Sequence, residues 1–163
     1  MKTLLLIRHA KSSWEVAGTG DFDRPLNERG KADAPMMARR LAERKLRIDC
    51  IMASPAKRAK KTAELFARQF HIDEKQIHFV PDLYHGGPEA YIAAILALDK
   101  DCLTMALVAH NPGITEFANS ITDQRIDNIP TCGIFAVTAK IEKWSRFADA
   151  KKNFLFFDYP KSG

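Results

Sequence analysis

Two apolar runs, each ending abruptly at a histidine, constrain this chain more than any other feature. The first reads Leu4-Leu5-Leu6-Ile7-Arg8-His9-Ala10, and the second reads Met105-Ala106-Leu107-Val108-Ala109-His110-Asn111-Pro112-Gly113. Apolar residues that run on without alternating mark strands buried on both faces, as in parallel sheets covered by helices. In open α/β sheets, ligands sit outside the carboxyl ends of the strands. Two histidines and an arginine delivered there point to a site that handles an anion, with phosphate the best fit.

The rest of the chain alternates between strand and helix patterns. Residues 2–8 read as a strand and 10–26 as a long loop containing Gly18, Gly20 and Pro25. Asn27 is placed to cap a helix running to about residue 47. Pro35 falls inside it, which predicts a kink or a later true start. A short strand over 49–53 leads to Ser54, read as the cap of a helix from Pro55 to about residue 70, since proline suits a first helical turn. A weak strand follows over 77–80, then a helix over 88–98 with Tyr91, Ile92, Ile95 and Leu96 on its inner face. The strand over 103–109 is central, and Pro112 opens a helix through residue 121. Residues 133–140 and 153–159 are the last strands, read as antiparallel. The expected fold is α/β, a three-layer α/β/α sandwich around a mostly parallel sheet. No repeat, low-complexity tract or linker divides the chain, so residues 1–163 are expected to form a single domain.

Composition narrows the partners. The net charge of +5 favours acidic ones. The densest basic run, Lys57-Arg58-Ala59-Lys60-Lys61, has no interleaved aromatics on which bases could stack, so no nucleic acid is expected. No apolar run approaches the ~20 residues that span a bilayer, so no membrane association is expected. The N-terminus carries one lysine and four consecutive apolar residues, too short for a signal peptide core, and a cytoplasmic location is expected. Cys50, Cys102 and Cys132 are odd in number and widely spaced, and are read as reduced structural thiols. Neither a CxxC nor an HExxH pattern occurs, so no metal or other cofactor is expected.

Arg8-His9-Ala10, Arg24-Pro25-Leu26, Ser54-Pro55 followed by Arg58 and Thr62-Ala63, and His110-Asn111-Pro112-Gly113 occur in that order between residue 3 and about residue 139. Together they resemble the histidine phosphatase superfamily, the branch named for phosphoglycerate mutase and acid phosphatase. The small size and the Arg-Pro-Leu element point to its SixA-like phosphohistidine phosphatases. The resemblance implies a phosphoglycerate mutase-like fold. It also implies that His9 attacks phosphorus in line, becomes phosphohistidine, and is then freed by water.

The residue types suit that chemistry. Arginine presents a rigid fork that matches phosphate oxygens bidentately. Arg8, Arg24 and Arg58 would supply three forks, from a strand end, a loop and a helix. His110 adds a further donor, and backbone amides after Pro112 sit at a helix N-terminus that attracts anions. With the charge supplied by arginines, the transfer needs no metal. The catalytic candidates are therefore His9, Arg8, Arg58 and His110. Arg24, Lys11, Ser12, Asn111 and His85 are candidates for substrate binding, with Trp14 at the mouth and Thr131 within reach. Several of these have a plainer reading. Arg24 also reads as a loop salt bridge to Asp21 or Asp23, Ser54 as a helix cap, and His71 and His78 as surface residues.

The general acid is where the pattern departs from the family. Many members carry a glutamate in the stretch that here reads Pro81-Asp82-Leu83-Tyr84-His85-Gly86-Gly87-Pro88-Glu89, and His85 stands in its place. Asp21, Asp23, Asp82, His85 and Glu89 remain the candidates, or no acid at all. A weak acid hinders loss of an alkoxide more than loss of an imidazole, which favours a phosphohistidine substrate. The short connections leave no large insertion to close over a small sugar phosphate. The expected partner is thus a phosphorylated protein, such as a histidine phosphotransfer domain, acted on by a monomer. The alternatives are a small phosphorylated molecule as substrate, or a phosphate-binding module without turnover.

Overall fold

The computed structural model of the chain describes residues 1–15, 18–98 and 100–162. Val16 and Ala17 of the expected loop, Asp99, and Gly163 at the end of the expected domain lie outside the described residues. The strands are β1 (Lys2–Arg8), β2 (Cys50–Ala53), β3 (His78–Phe79), β4 (Thr104–Ala109), β5 (Ile134–Ala139) and β6 (Lys152–Asp158). The helices are α1 (Glu28–Glu43), α2 (Lys57–Gln69), α3 (Pro88–Ala97) and α4 (Gly113–Ile121). The strands form one sheet in the order β3-β2-β4-β1-β5-β6. β1, β2, β3 and β4 pair in parallel, while β5 runs antiparallel to both β1 and β6.

Strand side chains alternate between faces, and β1 shows what that does here. Leu4 and Leu6 enter one core with Tyr91 and Ile95 of α3 and Ile114 and Phe117 of α4. Leu5 and Ile7 enter the other with Met37 and Leu41 of α1 and Ala63 and Phe66 of α2. β4 divides the same way, with Met105 and Leu107 on the first side and Ala106 and Val108 on the second. Helices on both faces of a mostly parallel sheet make the expected three layers. Each large side chain buried here contributes roughly 1.5–3 kcal/mol. Among the described residues, no helix is long and apolar enough to cross a membrane.

β1 and β4 are in register from Thr3 opposite Thr104 to Arg8 opposite Ala109. Both strands therefore finish level, and the next residues are His9 and His110. Continuing the alternation by one residue puts both on the α1/α2 side of the sheet, while Arg8 follows Leu4 and Leu6 to the other.

Several local expectations need correction. α1 starts at Glu28, where the Asn27 side chain accepts the Gly30 N–H at 2.9 Å, so Pro35 does not delay it. The helix runs through Pro35 because Ala34, Met37, Ala38 and Leu41 are buried around it, and it stops at Glu43, where Lys45 turns left-handed with φ 63°. α2 starts at Lys57 rather than Pro55, and Ser54 is not its cap. Leu96 is exposed rather than on the inner face of α3. The largest correction concerns the cysteines, since Cys50 and Cys102 are joined by a disulfide rather than free. They start or precede neighbouring strands, and parallel pairing of β2 with β4 brings their Cα atoms within 6.3 Å. A separation of 52 residues concealed this contact in the sequence. Cys132 alone is a free, buried thiol.

Gly30 pins the loop that follows His9. Asn27 donates its N–H to the Lys11 carbonyl at 3.0 Å, so the first turn of α1 lies directly on Lys11. A Cβ at Gly30 would overlap the Lys11 carbonyl oxygen, a backbone atom that cannot swing aside. Gly30→Ala is therefore expected to destabilise the fold by about 1–3 kcal/mol, read as a lower midpoint in thermal unfolding. An unchanged midpoint would show that this contact does not constrain the loop.

Candidate active site

His9 sits directly after β1, and its Nδ1 lies 2.8 Å from the Ala10 carbonyl. A carbonyl only accepts, so Nδ1 carries the hydrogen and Nε2 keeps its lone pair. Arg58 donates from Nε to that Nε2 at 3.4 Å. The His9 and His110 rings are 5.1 Å apart. Burial, with His110, Arg58 and Arg8 near, pushes His9 down to about 3. Burial, with Arg58 and Arg8 near, does the same to His110. Both rings are therefore neutral at physiological pH.

The two histidines line a cleft of about 340 Å³ with Arg8, Lys11, Ser12, Trp14, Arg24, Arg58, Asn111 and Thr131. Arg58 comes from the first turn of α2 and is buried. Thr62, one turn later, donates to the Arg58 carbonyl at 2.8 Å and accepts the Ala10 N–H at 2.9 Å, tying α2 to the end of β1. Arg8 donates to the Ile129 carbonyl at 3.0 Å, and its buried Nε has no partner.

Asp21 holds the other two guanidinium groups. Its carboxylate lies 3.1 Å from Arg58 and 3.1 Å from Arg24, and its carbonyl accepts from Arg58 at 2.6 Å. The Tyr84 hydroxyl donates to the same carboxylate at 2.5 Å. That hydrogen bond first, and the two arginines with it, hold the Asp21 carboxyl well below the usual carboxylate range. Asp21 is thus a fixed anion that aims Arg24 and Arg58, and not a proton donor in this arrangement.

Most of the expected site residues meet in the cleft, with differences of role. Both readings of Arg24 hold, since it lines the cleft and pairs with Asp21. Ser12 accepts a hydrogen bond from Arg24, and the exposed Trp14 ring covers the same guanidinium at 3.5 Å. Asn111 donates to the Ile129 carbonyl at 3.1 Å and accepts from Thr115, so its polar atoms brace the neighbouring loop. The Ile114 and Glu116 amides of α4 donate to the His110 and Pro112 carbonyls. His85 does not line the cleft, because its ring is exposed and lies 4.0 Å from that of Tyr84. Tyr84 approaches the site instead, with its ring 5.4 Å from that of His110. Asp23, Asp82 and Glu89 are exposed and do not line the cleft.

Sequence reading missed Tyr84, Thr62 as a brace, and Ser54 as a partner of His110. Thr62 was visible only as part of a motif. Tyr84 and Ser54 carry no periodic signal, and a hydroxyl shows its partner only once distant segments meet.

Comparison with known proteins agrees with this geometry. Residues 4–84 match the model of the histidine phosphatase superfamily, branch 1. An uncharacterised chloroplastic protein of Arabidopsis thaliana is 30% identical over 153 residues, covering 88% of this chain and 69% of its own length. A crystal structure from Agrobacterium tumefaciens, assigned as the phosphohistidine phosphatase SixA, superposes with a TM-score of 0.80 at 28% identity and covers 98% of each chain. The structure of the protein histidine phosphatase SixA complexed with tungstate gives 0.82 at 20% identity over 97% of each chain. The chain belongs to the histidine phosphatase superfamily. Within it, the chain falls in the SixA-like branch and is a phosphatase.

The neutral histidines set an acid limit on stability. Each binds a proton near 6.5 in the unfolded chain and only near 3 in the folded one. Between those values the unfolded chain holds more protons, so stability is full above about 6.5 and falls as pH drops toward 3. The urea midpoint is expected to fall from pH 7 to pH 4, and His110→Gln should remove part of that fall. A variant with the wild-type pH dependence would show that His110 is not buried in neutral form.

Proposed function

We propose that this phosphatase works without a metal, through a phosphohistidine intermediate on His9, and removes phosphate from phosphohistidine on a protein. One observation carries the reading. Three arginine side chains and two neutral imidazoles line one cleft, and among the described residues no carboxyl group lines it.

His9 Nε2 is an unprotonated nitrogen in the cleft that accepts only a long contact from Arg58 Nε at 3.4 Å, and its Nδ1 is fixed by a backbone carbonyl. In the first step a bond forms between Nε2 and phosphorus. The bond from phosphorus to the leaving nitrogen breaks, and the departing imidazole takes up a proton from solvent. In the second step water attacks phosphorus and gives a proton to solvent, the bond to Nε2 breaks with its electron pair returning to the ring, and inorganic phosphate leaves. Arg8, Arg24 and Arg58 balance charge on the phosphoryl oxygens throughout, the role a metal ion fills in other phosphoryl transfers. Preorganised donors in a site away from water are worth more than the same donors in water.

The substrate preference follows from the acid. Asp21 is held ionised and the other candidates stand outside the cleft. An alkoxide leaves poorly without a proton donor, whereas an imidazole leaves readily. The rim also suits a macromolecular substrate. Trp14 is 78% exposed at the mouth and Lys11 is exposed beside it, giving a basic, partly aromatic surface around the cleft. An acidic surface carrying phosphohistidine, such as that of a histidine phosphotransfer domain, fits such a rim.

Phosphate release by the wild type in the presence of a chelator is expected to be faster from a phosphohistidine-bearing protein than from an alkyl phosphate ester such as phosphoserine. His9→Ala should abolish it, and Arg58→Ala should lower kcat by roughly 10²–10³-fold. Release from the ester alone would move the substrate to small molecules. Tight phosphate binding with no release from either would make the protein a binding module, and dependence on a metal would overturn the metal-free mechanism.

A further inference from the structure

We infer that Ser54 is a positioning residue that fixes the tautomer of His110, so that His110 presents Nδ1–H to the transferring phosphoryl group. This deepens the proposed function, and rests on it for the role of His110.

The argument is one of hydrogen-bond satisfaction. Ser54 follows β2, is completely buried, and places Oγ 2.8 Å from Nε2 of His110. The Ala56 N–H donates to the same Oγ at 3.2 Å. A serine hydroxyl has one hydrogen and two lone pairs, and Ala56 takes one lone pair. Among the described residues, His110 Nε2 is the remaining partner of Ser54 Oγ. If Nε2 carried a hydrogen, the Ser54 hydrogen would be left buried with no acceptor, at a cost of about 1–3 kcal/mol. With Ser54 donating to Nε2, every group in the chain Ala56–Ser54–His110 is satisfied. His110 is neutral and has one N–H, which must then sit on Nδ1.

Nδ1 is also the nitrogen that has no partner inside the protein. It is buried and unpaired, as is Nε of Arg8, and both residues line the cleft. Two unpaired buried nitrogens on residues that line one cleft suit an anion that accepts from both. The other tautomer would present a lone pair to phosphoryl oxygens, and would repel them. The His110 backbone is braced to hold this pose, since its carbonyl accepts from Ile114 N–H at 2.9 Å and from the Tyr91 hydroxyl at 3.3 Å.

Nitrogen-detected NMR of the unliganded, ring-labelled protein tests the tautomer without any substrate. The wild type is expected to show His110 with a protonated Nδ1 and an unprotonated Nε2. Ser54→Ala should shift that pattern toward Nε2–H or a mixture, and Ser54→Thr, which keeps the hydroxyl, should restore it. With phosphohistidine protein as substrate, Ser54→Ala should lower kcat by roughly 10–100-fold with a smaller change in KM, and Ser54→Thr should recover part of the loss. A wild-type His110 protonated on Nε2, or a tautomer unmoved by Ser54→Ala, overturns the inference even if the enzyme is active. The expected tautomer in a protein that releases no phosphate would overturn the proposed function and leave the role of Ser54 standing. A Ser54→Ala protein whose other amide signals also collapse has lost its fold. The wild-type and Ser54→Thr spectra then decide the matter.

Discussion

The whole site depends on β1 and β4 ending level. A parallel pair fixes which residues lie side by side, and this one sets Arg8 opposite Ala109, so that His9 and His110 leave the sheet together. A slip of one residue would send one of the two to the opposite face. β2 adds the third component, because it is parallel to β4 on the other side and its end delivers Ser54 and then Arg58. β5 closes the fourth side. It runs antiparallel to β1, and just before it the Cys132 N–H donates to the Arg8 and His9 carbonyls at 3.0 Å each. Three parallel strand ends and one antiparallel return thus define the cleft before any side chain is considered.

Charge balance then sets the state of each group. Three guanidinium groups converge on one cleft, and repulsion among them would open it without a counterion. Asp21 supplies one, shared between Arg24 and Arg58 and fixed by Tyr84. The same surplus of positive charge, added to burial, keeps protons off His9 and His110. That suits a nucleophile, since a protonated imidazole has no lone pair to offer. The arginines therefore both attract the phosphoryl group and keep the attacking nitrogen unprotonated.

Legibility in the sequence followed the length scale of the cause. The two apolar runs, the Asn27 cap and the helices over α3 and α4 arise from local patterns, and they were readable. The convergence of Arg8, His9, Arg58 and His110 was readable because each ends or follows a recognisable element. Asn111 and Ser12 line the cleft, but their polar atoms brace neighbours, which no local pattern reveals. The disulfide between Cys50 and Cys102, the Tyr84 hydroxyl on Asp21 and the Ser54 contact to His110 all join segments dozens of residues apart. His85 is exposed and stands outside the cleft lining. Its ring packs against that of Tyr84 at 4.0 Å, and it is the Tyr84 ring that comes within 5.4 Å of His110.

The two histidines also show how one side chain serves two opposite needs. Both carry their hydrogen on Nδ1, yet they face the cleft with different atoms. His9 gives Nδ1–H to a backbone carbonyl, which accepts and nothing else, and so turns a lone pair toward phosphorus. His110 takes a hydrogen at Nε2 from a hydroxyl that is itself fixed by Ala56, and so turns an N–H toward the phosphoryl oxygens. The imidazoles are chemically identical, equally buried and 5.1 Å apart, so neither burial nor the common arginine field can distinguish them. The partner behind each ring does, a carbonyl in one case and a hydroxyl in the other, and the Arg58 Nε–H on His9 Nε2 acts in the same sense as the carbonyl. The division between nucleophile and electrostatic donor is therefore set behind the rings, by Ala10 and Ser54.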